Sequence, residues 1–322
     1  MTRELVAAAG AGRMGRGIAV VFAYSGHAVR LVDLKPRAAG EFARVADDAR
    51  REIRAALETL ADLGVMPHES IDVIAARVSI HAGADALADA DLVFEGVPET
   101  REAKQAALPA IAAAARADAI IASTTSTMLS TELQDLVAHP GRFLNAHWLN
   151  PAYLVPLVEV SPGARTDPEV VTRLTALLER IGKVPVVCRA SPGYIVPRIQ
   201  ALAMNEAARL VEEGVASAAD VDRAIKYGFG LRYAVLGLIE FIDWGGGDIL
   251  YYASRYLREA TGEERFAAPR IVEDNMRAGR IGLRTGQGFY DFGSMDVERF
   301  KRERLGAYVA LLRHFGLLKP PV

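Results

Sequence analysis

The sequence predicts an α/β protein in two parts: a doubly wound, mostly parallel sheet with helices on both faces, then an all-helical domain. Three observations carry this prediction. Short apolar runs alternate with helical stretches through residues 1–188, a glycine triplet follows the first run, and strand-like runs cease from about residue 189. A chain of 322 residues suits two domains, and 51% apolar with 24% charged residues excludes a disordered or fibrous chain.

The elements follow in order. Leu5–Ala9 is a short apolar run ending in Gly10-Ala-Gly12-Arg13-Met14-Gly15. Ile18–Tyr24 reads as a packed helix closed by Ser25-Gly26, and Ala28–Asp33 alternates apolar and polar residues and ends in an acid. Together these make one βαβ unit. Further strands are expected at Arg77–His81, Asp91–Gly96, Ala119–Ser123, Arg142–His147, Val155–Val160 and Val184–Cys188. Residues Glu41–Ala76 interrupt the alternation: Ile53, Leu57, Leu60 and Leu63 recur at helical spacing and Gly64 breaks the run, which predicts an inserted helical hairpin. Beyond it, helices are expected at Gly193–Gly214, Ala218–Tyr227, Ala234–Phe241, Asp248–Thr261 and Pro269–Gly279. The expected division is a Rossmann-type dinucleotide-binding domain over 1–188 and a helical domain over 189–322.

Gly10, Gly12 and Gly15 are spaced as Gly-x-Gly-x-x-Gly between a strand and a helix. The first allows a tight turn, the second lets a pyrophosphate approach the backbone, and the third permits close helix–strand packing. The helix N-terminus then offers free N–H groups and the positive end of its dipole to phosphate. Asp33 follows eighteen residues after Gly15, at the end of the next strand. Its carboxylate suits the adenosine ribose hydroxyls and would repel a 2′-phosphate, so NAD is expected rather than NADP.

Asn145-Ala-His147-Trp-Leu-Asn150-Pro151 ends a predicted strand and runs on to Glu159, within a second apolar run. In a parallel α/β sheet, strand C-termini border the ligand crevice. A carboxylate in an apolar strand needs a partner. A His–Glu pair suits proton transfer, with the imidazole taking the proton and the carboxylate fixing its tautomer.

Other classes of function fit poorly. Lys and Arg number 38 against 40 Asp and Glu, a net charge of −2, which argues against a nucleic-acid partner. No apolar run approaches the roughly 18 residues of a membrane span. Thr2-Arg3 followed by small apolar residues looks faintly like a signal peptide, but those residues belong to the glycine pattern. The single cysteine, Cys188, allows no disulfide framework and suits a reducing compartment, so a cytoplasmic location is expected. His27, His68, His81, His139 and His314 have no comparable setting, and no cluster has metal-ligand spacing.

These residues resemble the 3-hydroxyacyl-CoA dehydrogenase superfamily over essentially the whole chain. GAGRMGRG at 10–17 resembles its NAD loop, VPETREAK with Glu99 and Lys104 its fourth-strand signature, and Ser123-Thr-Thr-Ser126 its Ser/Asn-Thr-Ser turn. His147-Trp-Leu-Asn-Pro with Glu159 resembles its catalytic H-F-x-N-P…E, Ser191-Pro-Gly-Tyr-Ile the entry to its helical domain, and GLRTGQGFY at 282–290 its C-terminal signature. The resemblance implies His147 as general base on a substrate C3 hydroxyl, Glu159 as its support, and substrate contacts from Ser126 and Asn150. It implies NAD contacts from Arg13, Met14, Glu99 and Lys104 beside the glycines and Asp33, and a homodimer formed through the helical domain.

Three departures bear on the substrate. Pro197 stands where the family has a substrate-contacting Asn, and proline has no N–H donor. The hairpin carries no Lys or Arg from Ala55 to Ala75, leaving Arg50, Arg51 and Arg54 to meet a CoA phosphate. Arg232-Tyr-Ala-Val-Leu-Gly237 replaces the family's P-M-G-P. Together with 150–160 and 209–217, these resemble the branch acting on free 3-hydroxy acids, such as L-gulonate 3-dehydrogenase and its λ-crystallin relative, with carnitine and pyridoxine-pathway dehydrogenases nearby. The expected activity is NAD-dependent interconversion of a short L-3-hydroxyacyl compound and its 3-keto form, with a small 3-hydroxy acid or alcohol slightly ahead of 3-hydroxybutyryl-CoA. A catalytically weak, NAD-binding structural protein is the remaining alternative.

Overall fold

A computed structural model describes residues 3–321. The chain divides into two compact units, Met1–Ala203 and Met204–Val322.

The first unit is built on one eight-stranded sheet. In chain order its elements are β1 (Val6–Ala9), α1 (Arg13–Tyr24), β2 (Val29–Asp33), α2 (Ala39–Asp62), α3 (Ile71–Ala75), β3 (Val78–Ala82), β4 (Leu92–Glu95), α4 (Arg101–Ala114), β5 (Ile120–Ser123), α5 (Ser130–Leu133), β6 (Phe143–Trp148), β7 (Leu157–Pro162), α6 (Pro168–Arg180) and β8 (Val184–Val187). All eight expected strands form, within a few residues of their predicted ends. The sheet order is 3-2-1-4-5-6-7-8, parallel throughout except where β7 runs antiparallel to β6. The order reverses between β1 and β4, and a doubly wound sheet binds its ligand in the crevice at such a reversal.

The strands are apolar on both sides because helices cover both faces. Val6 and Ala8 of β1 join one core with Phe22, Phe94 and Trp148, while Ala7 and Ala9 join the other with Leu108 and Ile111 of α4. Phe94 packs edge-on against Trp148 with ring centroids 5.5 Å apart, and Phe22 lies 5.5 Å from Phe94. Contacts of this kind contribute about 0.5–1.5 kcal/mol each beyond area burial.

The inserted hairpin is unequal. Its first arm, α2, runs for 24 residues and buries Ala49, Ile53, Leu57 and Leu60, while the return arm α3 has only five. Gly64, at φ 73°, makes the break between the arms.

β6 and β7 depart from the two-sided apolar pattern. Leu144, Ala146, Trp148, Val158 and Val160 face the first core. Asn145, His147, Glu159 and Ser161 therefore face the opposite side, by the two-residue period of a strand. These four polar residues are all buried.

α7 (Val196–Glu212) begins three residues later than the sequence suggests, because Gly193 (φ 73°) and Tyr194 (φ 45°) take left-handed backbone before it. The second unit continues with α8 (Ala218–Ala224), a π-helical turn at Ile225–Gly230, α9 (Leu231–Tyr233), α10 (Leu238–Gly245), α11 (Gly247–Thr261), α12 (Arg270–Arg277) and α13 (Val297–His314). The helix expected at Ala234–Phe241 starts at Leu238 instead, where Glu240 accepts a hydrogen bond from the Gly237 amide and completes an N-terminal cap. The last helix, α13, is not among those expected from the sequence and carries no buried residue.

GLRTGQGFY wraps a buried acid. Asp243 is 2% exposed and accepts from the Phe289 and Tyr290 amides at 3.0 and 2.8 Å. A Cβ on Gly288 would lie 2.1 Å from the Asp243 carboxylate, so that glycine is dictated by close approach. Among the described residues, no helix is long and apolar enough to cross a membrane.

Candidate active site

The glycine loop leaves β1 and enters α1. Gly10 sits at φ 126°, and a Cβ there would lie 2.5 Å from the Gly96 carbonyl at the end of β4. A Cβ on Gly15 would lie 2.0 Å from the Gly10 carbonyl, while one on Gly12 would meet nothing within 4 Å. The loop is therefore closed on the protein side and open at Gly12. No side chain caps α1 and no acid lies in its first turn, so the amides of Arg13, Met14 and Gly15 remain free for an anion. This arrangement fits a dinucleotide pyrophosphate. Asp33, 5% exposed, ends β2, and the Gly10 amide donates to Val32 at 2.8 Å beside it. Arg37, which the sequence reading passed over, donates from Nε to Asp33 Oδ2 at 2.5 Å.

The end of β5 carries the second element. One oxygen of Glu99 accepts hydrogen bonds from the hydroxyls of Thr125 and Thr127 and from the amides of Ser126 and Thr127, the amides at 3.0 Å. This carboxylate draws the turn into shape and sets where Ser126 stands. Burial would raise the pKa of Glu99, but the hydroxyls of Thr125 and Thr127 and the Lys104 charge outweigh it and hold the group below its ordinary value. Lys104 itself is 1% exposed and bonds Glu95 at 2.9 and 3.0 Å, with Glu99 Oε2 at 3.6 Å. Glu95 is fully buried and also accepts from Ser123 at 2.6 Å and the Val97 amide at 2.7 Å. Its part was invisible in sequence, where it reads as the polar end of an apolar strand.

The third element is the β6–β7 pair. His147 and Glu159 stand opposite one another in the antiparallel register, and His147 Nδ1 lies 2.8 Å from Glu159 Oε2. His147 is 5% exposed and Glu159 0%. The other Glu159 oxygen accepts from the Ile195 and Val196 amides, both at 2.9 Å. These amides open α7, whose positive end supports the carboxylate's charge. An ionised Glu159 can only accept, so Nδ1 carries the proton and Nε2 is left as the basic nitrogen.

Tyr194 completes this side. Its ring stacks on His147 at 5.3 Å between centroids and 14° between planes. Its hydroxyl donates to the Thr125 carbonyl at 3.0 Å and accepts from Asn145 Nδ2 at 2.9 Å, which ties the Ser126 turn to the histidine strand. Burial pushes the Tyr194 phenol well above its ordinary value, so it stays protonated and can keep that donor bond. Burial and the nearby Glu159 charge likewise raise the Cys188 thiol.

Asn150 is exposed, on the loop between β6 and β7, and precedes a cis peptide to Pro151. The loop is held from below by Lys183, 8% exposed, whose ammonium donates to the carbonyls of Ala152 at 2.6 Å and Val155 at 2.8 Å and lies 5.6 Å over the Trp148 ring. No carboxylate pairs with Lys183 among the described residues, and burial lowers its basicity. Beside the loop opens a cleft of about 480 Å³, lined by Arg13, Arg16, Glu52, Ala56, Asn150 and Tyr153 among others.

Arg50, Arg51 and Arg54 of the hairpin each have a carboxylate partner. Arg50 bonds Asp47 at 2.8 Å, Arg51 bonds Asp48 at 2.5 Å, and Arg54 bonds Glu58 at 3.1 Å and Asp72 at 2.6 Å. Among the described residues, no group of three or more His, Cys, Asp or Glu could hold a metal ion.

Comparison with known proteins agrees with this arrangement. Residues 5–191 match the 3-hydroxyacyl-CoA dehydrogenase NAD-binding domain, and residues 193–292 match the C-terminal domain of the same family. The chain is 31% identical over 311 residues to 5-formyl-3-hydroxy-2-methylpyridine 4-carboxylate 5-dehydrogenase of Mesorhizobium japonicum, covering 96% of this chain and 97% of that one. It is 30% identical over 292 residues to a probable 3-hydroxybutyryl-CoA dehydrogenase of Bacillus subtilis, covering 91% and 98%. The crystal structure of a 3-hydroxyacyl-CoA dehydrogenase from Archaeoglobus fulgidus superposes with a TM-score of 0.78 at 31% identity, covering 98% of this chain and all of that one. With both family domains matched in order on a doubly wound sheet that carries an open glycine loop and a buried His–Glu pair, the chain belongs to the 3-hydroxyacyl-CoA dehydrogenase family, NAD-dependent oxidoreductases acting on a CH–OH group.

Proposed function

We propose that the substrate is a small free L-3-hydroxy acid or related alcohol, oxidised at C3 to the keto form. The observation that carries this reading is the pairing of Arg50, Arg51 and Arg54 with local carboxylates, which offsets the charge these three residues could offer the phosphates of CoA. The similarity to acyl-CoA enzymes of Bacillus subtilis and Archaeoglobus fulgidus supports the alternative, a short-chain 3-hydroxyacyl-CoA such as 3-hydroxybutyryl-CoA. A turnover assay with NAD and a panel of free 3-hydroxy acids beside their CoA thioesters tests the choice. Activity confined to thioesters would overturn the first reading.

The roles follow from the geometry. His147 Nε2 takes the proton of the C3 hydroxyl, and Glu159 holds the ring and compensates the imidazolium. Ser126 donates to the substrate oxygen, and Asn150 orients the substrate. Bound NAD supplies the hydride acceptor. Gly10, Gly12, Arg13, Met14 and Gly15 hold its pyrophosphate and Asp33 its adenosine ribose. Glu99 and Lys104 serve the cofactor side at one remove, by shaping the Ser126 turn from behind.

We further propose residues 1–188 as the NAD-binding domain and 189–322 as a substrate and dimerisation domain. Met204, Ile249, Tyr252 and Tyr256 are 58–71% exposed on α7 and α11, an apolar surface that a second copy would cover. The near balance of charge supports small-molecule rather than nucleic-acid chemistry, and the single cysteine supports a cytoplasmic compartment.

A further inference from the structure

We propose that Arg37 is a 2′-phosphate-binding guanidinium held out of use by Asp33, so that cofactor choice rests on the pair rather than on the acid alone. The proposal rests on the reading of Asp33 as the ribose-binding acid.

Three cationic or anionic side chains crowd five residues at the end of β2. Asp33 is buried, and Lys35 and Arg37 are exposed residues on the loop that follows. The Arg37 side chain is 28% exposed, against 7% for that of Asp33. Only Nε of Arg37 is engaged, by Asp33 Oδ2; its two terminal nitrogens have no partner among the described residues. The Lys35 amide donates to the other Asp33 oxygen at 3.3 Å, which folds the loop back over the acid. Pro36 stiffens the link between the two cations.

The charge balance follows. Repulsion by a carboxylate is the simple reason for rejecting a 2′-phosphate, yet two cations stand within four residues of this one. A guanidinium presents a fork suited to phosphate oxygens, and Arg37 keeps that fork free. While Asp33 is ionised it compensates the Arg37 charge and occupies the side nearest the ribose. Removing the carboxylate removes the repulsion and releases an intact phosphate ligand in the same step. The Nε contact meanwhile holds the buried acid at the end of the strand.

The test is a binding cycle. NADH, NADPH, ADP and 2′,5′-ADP are titrated by calorimetry against wild type, Asp33→Ala, Arg37→Ala and the double variant, with Asp33→Asn as a shape-preserving control. Asp33→Ala and Asp33→Asn are expected to tighten NADPH and 2′,5′-ADP by about tenfold or more. The double variant is expected to return them to within about threefold of wild type. An equal gain with and without Arg37 would overturn the proposal while keeping Asp33 at the ribose. No change in any ligand on altering Asp33 would instead overturn the ribose reading on which the proposal stands.

Discussion

His147 and Glu159 are direct cross-strand neighbours: the Nδ1–Oε2 contact of 2.8 Å spans a register pair of the one antiparallel junction in the sheet. Eight residues, 149–156, return β7 beside β6, and Asn150 is among them. The proposed base, its support and the proposed substrate contact Asn150 thus share one hairpin. His147→Gln is expected to lower kcat by about 10²–10⁴-fold while NADH affinity stays near wild type. Glu159→Gln is also expected to be slow, because the imidazolium loses its counter-charge. Stopped-flow rates with a separate NADH titration check this, and near-wild-type kcat in both variants would refute the mechanism.

Glu99 carries a pH signature. Its folded-state pKa lies below the ordinary value of 4.5, so it contributes stability that is present above that value and lost as pH falls through the folded-state one. Glu99→Gln is therefore expected to melt lower than wild type at pH 7, with the gap closing as both are taken into the strongly acid range. Because the turn holding Ser126 loosens, substrate KM should rise more than kcat falls. Thermal melts across pH and a kinetic split would both register it; a gap independent of pH would count against the assigned role.

Lys183 has the opposite signature. Its basicity is lowered from 10.5 by burial, so the unfolded chain binds the extra proton between the lowered value and 10.5, and stability rises with pH through that window. Lys183→Met orphans one buried and one part-buried carbonyl, about 1–3 kcal/mol for such a loss, and removes this rise. The deficit against wild type should be larger at pH 10 than at pH 7, as read from urea denaturation at each pH.

The paired hairpin arginines make CoA a weak handle. If a 3-hydroxyacyl-CoA is turned over, replacing Arg50, Arg51 and Arg54 together by Ala should change its KM less than about threefold, with little dependence on ionic strength. A low KM that collapses in the triple variant would move the acyl-CoA substrate to first place.

The order of strands and the glycine loop were legible because both are local. A strand buried on two faces reads as an apolar run wherever it lies, and Gly10 and Gly15 are required by contacts within a few residues and at one neighbouring strand end. His147 and Glu159 stood out as polar residues within apolar strands. Their partners did not. Tyr194 stacks on His147 from 47 residues away, the Ile195 and Val196 amides reach Glu159 across 36 and 37, and Lys183 holds a loop about 30 residues upstream. Backbone amides leave no mark in a sequence, and a lysine or tyrosine shows no sign of what will bury it. Nor could the sequence reveal that Arg37 and the three hairpin arginines are already paired, since a formal charge says nothing of the carboxylate beside it. Residue type and spacing therefore determined the fold and the candidate His147–Glu159 pair. Only the packing of distant segments decided which charges are free, which are neutralised, and what holds the pair in place.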